Sequence, residues 1–285
     1  MKGKPRVSLS SPHNPISEPV APPISEAQVE ALPGIGSLAP PPVENPPWSG
    51  WDVLALAILT VVTMFVSVVV VAYAVHSYFL PNLPWVRSAT RPETIVSGQL
   101  LAYFLIGILM YKLVESRSDG HVLEAIRWNW PANWPTYLLA GVGLEISLLP
   151  FALLLPMPKN LPLDEFFKTA RDAYVLSAFG ILFAPLFEEL FFRGFLYPVL
   201  VRRLGMPGSI VLTGVFFAAI HASQLKYSWA PVLVIFLVGL ALTTVRAIKK
   251  SVACTVLMHM AYNATIFVVA FIATGGFRHM EKFNQ

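Results

Sequence analysis

Seven predominantly apolar stretches, at about 52–77, 95–114, 136–156, 173–203, 207–223, 230–247 and 252–274, account for more than half of this chain. As helices rising 1.5 Å per residue, each reaches across a hydrocarbon core of about 30 Å when tilt and interfacial ends are allowed for. Lipid offers backbone N–H and C=O groups no partner, so only helices and closed barrels can span it, and these stretches are too long for barrel strands. The expected fold is an all-α, polytopic transmembrane helical bundle of about seven helices, with room for an eighth that is short or re-entrant.

Charge and aromatic placement agree. Only 13% of the residues are charged, against about a quarter in soluble domains. All seven tryptophans (Trp48, Trp51, Trp85, Trp128, Trp130, Trp134 and Trp229) stand at or just outside the ends of the apolar stretches, where an indole keeps its ring in lipid and its N–H in water. Basic residues after the second, fourth and sixth stretches (Lys112, Arg117, Arg127; Arg202, Arg203; Arg246, Lys249, Lys250) fall on one side of the membrane. By the positive-inside rule that side, and the N-terminus, is cytoplasmic. The net charge of +4 is spread over helix ends, which does not suit nucleic-acid binding. The single cysteine, Cys254, rules out an intrachain disulfide and reads as a small packing residue.

The organisation expected along the chain has four parts. Residues 1–48 hold about half of the 25 prolines and too few apolar side chains to offset the entropy of ordering, so they read as a disordered tail. No apolar run comes closely enough after Lys2, Lys4 and Arg6 to make a cleavable signal peptide; the first helix is a signal anchor. Residues 49–172 supply the first three transmembrane helices, 173–275 a functional core, and 276–285 a C-terminal tail.

The core is singled out by charges in a hydrocarbon setting. Glu188, Glu189 and Arg193 lie within Ile181–Tyr197, and each costs about 2.5 to 3.5 kcal/mol to insert at a helix centre. Glu189 and Arg193, four apart, share a face and can pair; Glu188 is rotated by about 100° and stays available. Such a pair can serve only to glue helices together, but two glutamates with one arginine leave a carboxylate over, and a dehydrated carboxylate is the stronger base. The next stretch brings Phe217 and His221, the last His259 and Asn263, again at i, i+4. Glu188 and His221 both fall roughly 21 to 22 Å from the shared cytoplasmic end, and His259 and Asn263 roughly 10 and 16 Å, within reach of one cavity after modest tilt. Glu145 reads as a lone glutamate bonding a neighbouring helix, and Pro185 as a kink just before the glutamates.

Glu188-Glu189-x-x-x-Arg193, Phe217-x-x-x-His221 and His259-x-x-x-Asn263, in that order on successive apolar stretches over about 174–270, resemble the three motifs of the CAAX protease and bacteriocin-processing (CPBP, or Abi) family, which includes the type II CAAX prenyl endopeptidases. The resemblance implies an intramembrane endopeptidase acting on membrane-associated peptides, prenylated CAAX-type or bacteriocin-like. In that reading Glu188 and His221 activate water, Glu189 and Arg193 hold the arrangement, and His259 and Asn263 face the oxyanion. Members are described both as glutamate-type and as metallo-type, so the implied cofactor is none or a divalent metal such as zinc, with Glu188, His221 and His259 as its ligands. The chain lacks His-Glu-x-x-His, the Gly-x-Gly-Asp of aspartyl intramembrane proteases and a rhomboid-like Gly-x-Ser-Gly. A catalytically inactive scaffold or immunity protein, and a proton-coupled transporter, are the competing classes; the transporter lacks an inverted repeat. The expected location is a bacterial plasma membrane, the expected partners the bilayer and a peptide or membrane-protein substrate.

Overall fold

The computed structural model describes Gly3 and residues 44–158 and 167–279, so most of the tail expected at 1–48 and the end of the one expected at 276–285 lie outside the described residues. The described residues contain helices and no strand. The helices are α1 (Gly50–Ala74), α2 (Trp85–Ala89), α3 (Pro92–Glu115), α4 (Val122–Ala125), α5 (Trp134–Leu154), α6 (Ala170–Ala178), α7 (Ala184–Glu189), α8 (Tyr197–His221), α9 (Trp229–Lys249) and α10 (Val252–Ala273). Three π-helical turns join them: Val75–Phe79 after α1, Phe179–Phe183 between α6 and α7, and Leu190–Leu196 between α7 and α8. α2 and α4 are too short to span a membrane.

Helix starts are set by local chemistry. Ser49 and Asp52 form a reciprocal capping box at α1, and Thr169 and Asp172 form another at α6, each satisfying two of the N–H groups that a helix start leaves bare. α9 ends at Lys250 in the left-handed region, and Ser251 caps α10 through the Cys254 N–H.

Helical geometry runs unbroken from Ala170 to His221 over 52 residues except at Gly205, whose φ of 68° and ψ of 177° belong to a region that only glycine enters freely. The chain doubles back there. A straight helix would separate Glu188 from His221, 33 residues on, by about 50 Å; their side chains are 3.8 Å apart. The two halves correspond to the expected spans 173–203 and 207–223. Gly50–Phe79, Pro92–Glu115, Trp229–Lys249 and Val252–Ala273 are also long and apolar enough to cross a bilayer. The 21-residue α5 packs along α10. The seven expected stretches are all present, with ends within two or three residues.

Small residues let the helices touch, as membrane bundles require when lipid is as apolar as the side chains. A Cβ on Gly239 of α9 would come within 3.0 Å of Gly214 Cα on α8, and one on Gly141 of α5 would collide with the Met258 carbonyl of α10. Contacts at the two ends sort the loops. Arg117 pairs with Asp52, Asn129 donates to Lys250 O, the Val252 N–H to Arg127 O, and Arg202 to Asn45, which puts these basic flanks at one end. Arg171 meets Glu93 at 3.1 Å at the other.

Six of the tryptophans keep some or much exposure, as an interfacial belt requires, but Trp48 does not: it is buried, stacked on Phe195 at 4.5 Å. Its N–H is satisfied by a backbone carbonyl instead of water.

Candidate active site

Five of the six expected site residues, Glu188, Glu189, Arg193, His221 and His259, converge from α7, the second π turn of the long stretch, α8 and α10. Glu189 and Arg193 are fully buried and joined at 2.7 Å. Arg193 is also held from α9, by its Nη2 donating to Gly239 O at 3.0 Å and its Nε to Thr243 Oγ1 at 3.2 Å, while its guanidinium lies 4.6 Å from the centre of the Phe217 ring. A buried ion pair in a low-dielectric setting needs further hydrogen bonds to hold it, and α9 supplies two of them to Arg193.

His259 closes the arrangement from α10. Its Nδ1 lies 2.9 Å from Glu189 Oε1, and its Nε2 faces Glu188 Oε2 at 3.8 Å. His221 mirrors it from α8: Nδ1 lies 2.7 Å from Phe217 O, and Nε2 faces Glu188 Oε1 at 3.8 Å. A carbonyl or an ion-paired carboxylate can only accept, so each Nδ1 carries the hydrogen and each Nε2 points at Glu188. Phe217 forms the wall between them, its ring centre 4.8 Å from that of His221 and 5.7 Å from that of His259.

Glu188 therefore sits between two imidazoles at distances too long for direct hydrogen bonds and suited to an interposed water. It also retains access: its side chain is 19% exposed, where Glu189 is closed off. The two adjacent glutamates thus divide as their 100° rotation predicts.

Asn263 departs in detail. Its Nδ2 donates to Gly180 O at 2.7 Å, across to the first π turn of the long stretch. The reason is local. Within that turn the Ala184 N–H reaches Phe179 O, so Gly180 O would next take the N–H of residue 185, and proline has none. Pro185 frees a carbonyl and Asn263 collects it, which leaves the other amide hydrogen and the Oδ1 of Asn263 for other partners.

Two imidazole nitrogens and a carboxylate, each imidazole fixed by a partner at Nδ1, are the donor types a zinc ion takes. A tetrahedral ion with bonds of about 2.0–2.1 Å holds its donors roughly 3.3–3.4 Å apart, whereas the two rings lie 3.8 Å from different oxygens of Glu188. Among the described residues no group of three or more His, Cys, Asp or Glu side chains is placed so that it could hold a metal ion.

An apolar groove of about 400 Å³ runs between α3 and Phe187 of α7, lined by Tyr103, Phe104, Gly107, Ile108, Tyr111, Lys112 and Phe187. Tyr103 stacks on Phe187 at 4.3 Å. The sequence alone reads Phe187 as core or lipid-facing and does not anticipate the groove. It also reads Arg246 as an interfacial basic flank, whereas the structure buries it completely. Glu145 faces Tyr262 of α10.

No curated protein and no solved structure matches the chain. Residues 170–265 match the family model described as type II CAAX prenyl endopeptidase Rce1-like, and the helices that carry the converging glutamates and histidines are thus an Rce1-like region of this protein.

Proposed function

We propose that the chain is an intramembrane endopeptidase that hydrolyses peptide bonds of membrane-associated substrates with a water activated by Glu188 and His221. The observation that carries this reading is the position of Glu188, faced at 3.8 Å by the Nε2 atoms of both His221 and His259. A water there lies within hydrogen-bond reach of a carboxylate and two rings. Glu188 takes its proton as the oxygen attacks the scissile carbonyl carbon, and passes that proton to the amine as the C–N bond breaks. His221 fixes the water. His259, aligned by Glu189 at Nδ1, and the second amide hydrogen of Asn263 face the oxyanion; one oxyanion donor is worth about 3–4 kcal/mol of barrier in a dry site.

A divalent ion, if bound, would be held by Glu188, His221 and His259 and would supply Lewis-acid polarisation of the substrate carbonyl. The groove along Tyr103, Gly107 and Phe187 offers a place for an apolar substrate segment, such as a prenyl chain, at the residue that precedes Glu188.

The test is turnover of quenched fluorescent peptides, prenylated and unprenylated, by the purified protein in detergent. Glu188→Ala and His221→Ala should each abolish cleavage while leaving the protein monodisperse, and a chelator should leave the wild-type rate unchanged. Turnover retained in either variant removes that residue from the mechanism. A rate lost to chelator and restored by zinc assigns the three ligands instead.

A further inference from the structure

The first π turn of the long stretch loses a carbonyl to Pro185, and the second loses one to Pro198 by the same rule. The Tyr197 N–H reaches Phe192 O, so Arg193 O would next take the N–H of residue 198, which proline lacks. That carbonyl lies in a buried place, and an unpartnered buried carbonyl is costly. Nε of Arg246, from α9, meets it at 3.1 Å.

Arg246 is itself held from a distant part of the chain. Its Nη1 and Nη2 grip both oxygens of Glu44 at 2.6 and 2.8 Å, and its guanidinium lies 5.4 Å from the centre of the Tyr197 ring. Four residues beyond Glu44, Trp48 Nε1 donates to Phe195 O at 3.0 Å while the indole stacks on the Phe195 ring. Two external donors thus cap two carbonyls of one π turn, and both depend on the segment that leads into α1.

We propose that Glu44, Trp48 and Arg246 are positioning residues for hydrolysis, a clamp that holds the Leu190–Leu196 π turn and through it the catalytic glutamates; this rests on the endopeptidase reading. The connection is continuous. Arg246 fixes the backbone of Arg193, the Arg193 side chain holds Glu189 at 2.7 Å, and Glu189 holds Nδ1 of His259 at 2.9 Å. A π turn carries one more residue per hydrogen-bonded loop than an α turn. Relaxation to α register rotates the helix before the turn against the helix after it by about 100°. Glu188 and Glu189 stand before this turn, and His221 stands after it on α8.

The experiment uses the full chain in detergent with two readouts: cleavage of the quenched peptides, and hydrogen exchange over residues 189–199, which needs no turnover. Glu44→Gln and Arg246→Lys should each lower kcat tenfold to a hundredfold, the scale of an ångström's misplacement, with KM within about twofold, and should speed exchange in 189–199. Trp48→Phe keeps the stacked ring, removes the donor and should give a smaller loss of kcat and faster exchange in 189–199 with a slightly earlier melting transition, so it reads the clamp even if the Glu44 variant folds poorly. Asp52→Asn, which weakens the Arg117 pair at the same end of the bundle, should change neither readout. The exchange Glu44→Arg with Arg246→Glu re-forms an ion pair but offers Arg193 O no donor, so folding should recover and kcat should not. Wild-type kcat and exchange in Glu44→Gln, Trp48→Phe and Arg246→Lys would overturn the clamp, as would recovery of kcat in the exchanged pair. If the wild type cleaves nothing while the variants still loosen 189–199, the endopeptidase reading fails and the clamp stands as a structural device.

Discussion

Nδ1 of His259 lies 2.9 Å from Glu189 Oε1, so the closed-off glutamate of the pair aligns the histidine that faces the open one. Glu188 and Glu189 are neighbours in sequence with opposite duties, and their substitutions should separate. Glu188→Gln removes a carboxylate with no direct hydrogen bond to His221 or His259, so cleavage should vanish while the melting temperature in detergent stays level or rises. Glu189→Gln leaves the Arg193 guanidinium buried without its counter-charge, a loss on the scale of 3–5 kcal/mol, so this variant should melt earlier and lose activity as well. Equal melting of the two variants would contradict the division.

Asn263 holds a backbone carbonyl that Pro185 has freed. Asn263→Ala should therefore cost about 1–3 kcal/mol for the stranded group, seen as an earlier thermal transition, in addition to a drop in kcat. A variant that loses turnover at an unchanged transition would show that the carbonyl contact contributes nothing to stability and that the amide serves the oxyanion alone.

The bundle, its seven long helices and the Glu189–Arg193 pair were legible because each is local: apolar length sets a span, and i, i+4 spacing sets a face. The approach of His221 to Glu188 was legible as depth, since the two count back from the adjoining span ends at Arg203 and Pro207. The relationships that the π turns create stayed hidden. A π turn has no composition signature, so the assignment of Asn263 and Arg246 to freed carbonyls required knowing which N–H reached which oxygen. Proline five residues after a π-turn carbonyl is the one sequence trace, and it reads as an ordinary helix kink. Trp48 was placed by its type at the interface. Its burial depends on Phe195, 147 residues away, which no spacing argument could supply.

The groove between α3 and Phe187 makes a substrate prediction. A Cβ on Gly107 would already touch the Phe187 ring at 3.4 Å, so Gly107→Leu should fill the space with side-chain carbons. If a prenyl chain lies there, KM for prenylated peptides should rise roughly tenfold, about the value of two buried methylenes, with kcat for unprenylated peptides little changed. An equal effect on both peptides would place the prenyl group elsewhere.

Gly205 carries the reversal that brings α8 back to the glutamates, at φ 68° and ψ 177°. An L side chain is strained there by about 1–3 kcal/mol. Gly205→Ala should lower the melting temperature and reduce cleavage together, whereas Gly208→Ala, three residues on in helical geometry, should be milder on both. The pair of variants read by thermal unfolding distinguishes backbone strain from a general intolerance of bulk in this corner.

The shared end of Asp52, Arg117, Arg127, Arg202 and Lys250 sets a topology that can be labelled. Its basic residues predict a cytoplasmic face, and Cys254 is buried, so a membrane-impermeant maleimide applied to intact cells meets little background from the native chain. Cysteine introduced at Ser118 or at Arg203 should stay unlabelled until the membrane is permeabilised, and cysteine at Ser223, in the turn between α8 and α9, should react from outside. The opposite pattern would invert the bundle. Because Glu188 lies on the half-stretch before Gly205 and His221 on the half after it, the labelled end also fixes the side from which depth to the carboxylate is counted, 17 residues or about 25 Å of helix from the cytoplasmic turn.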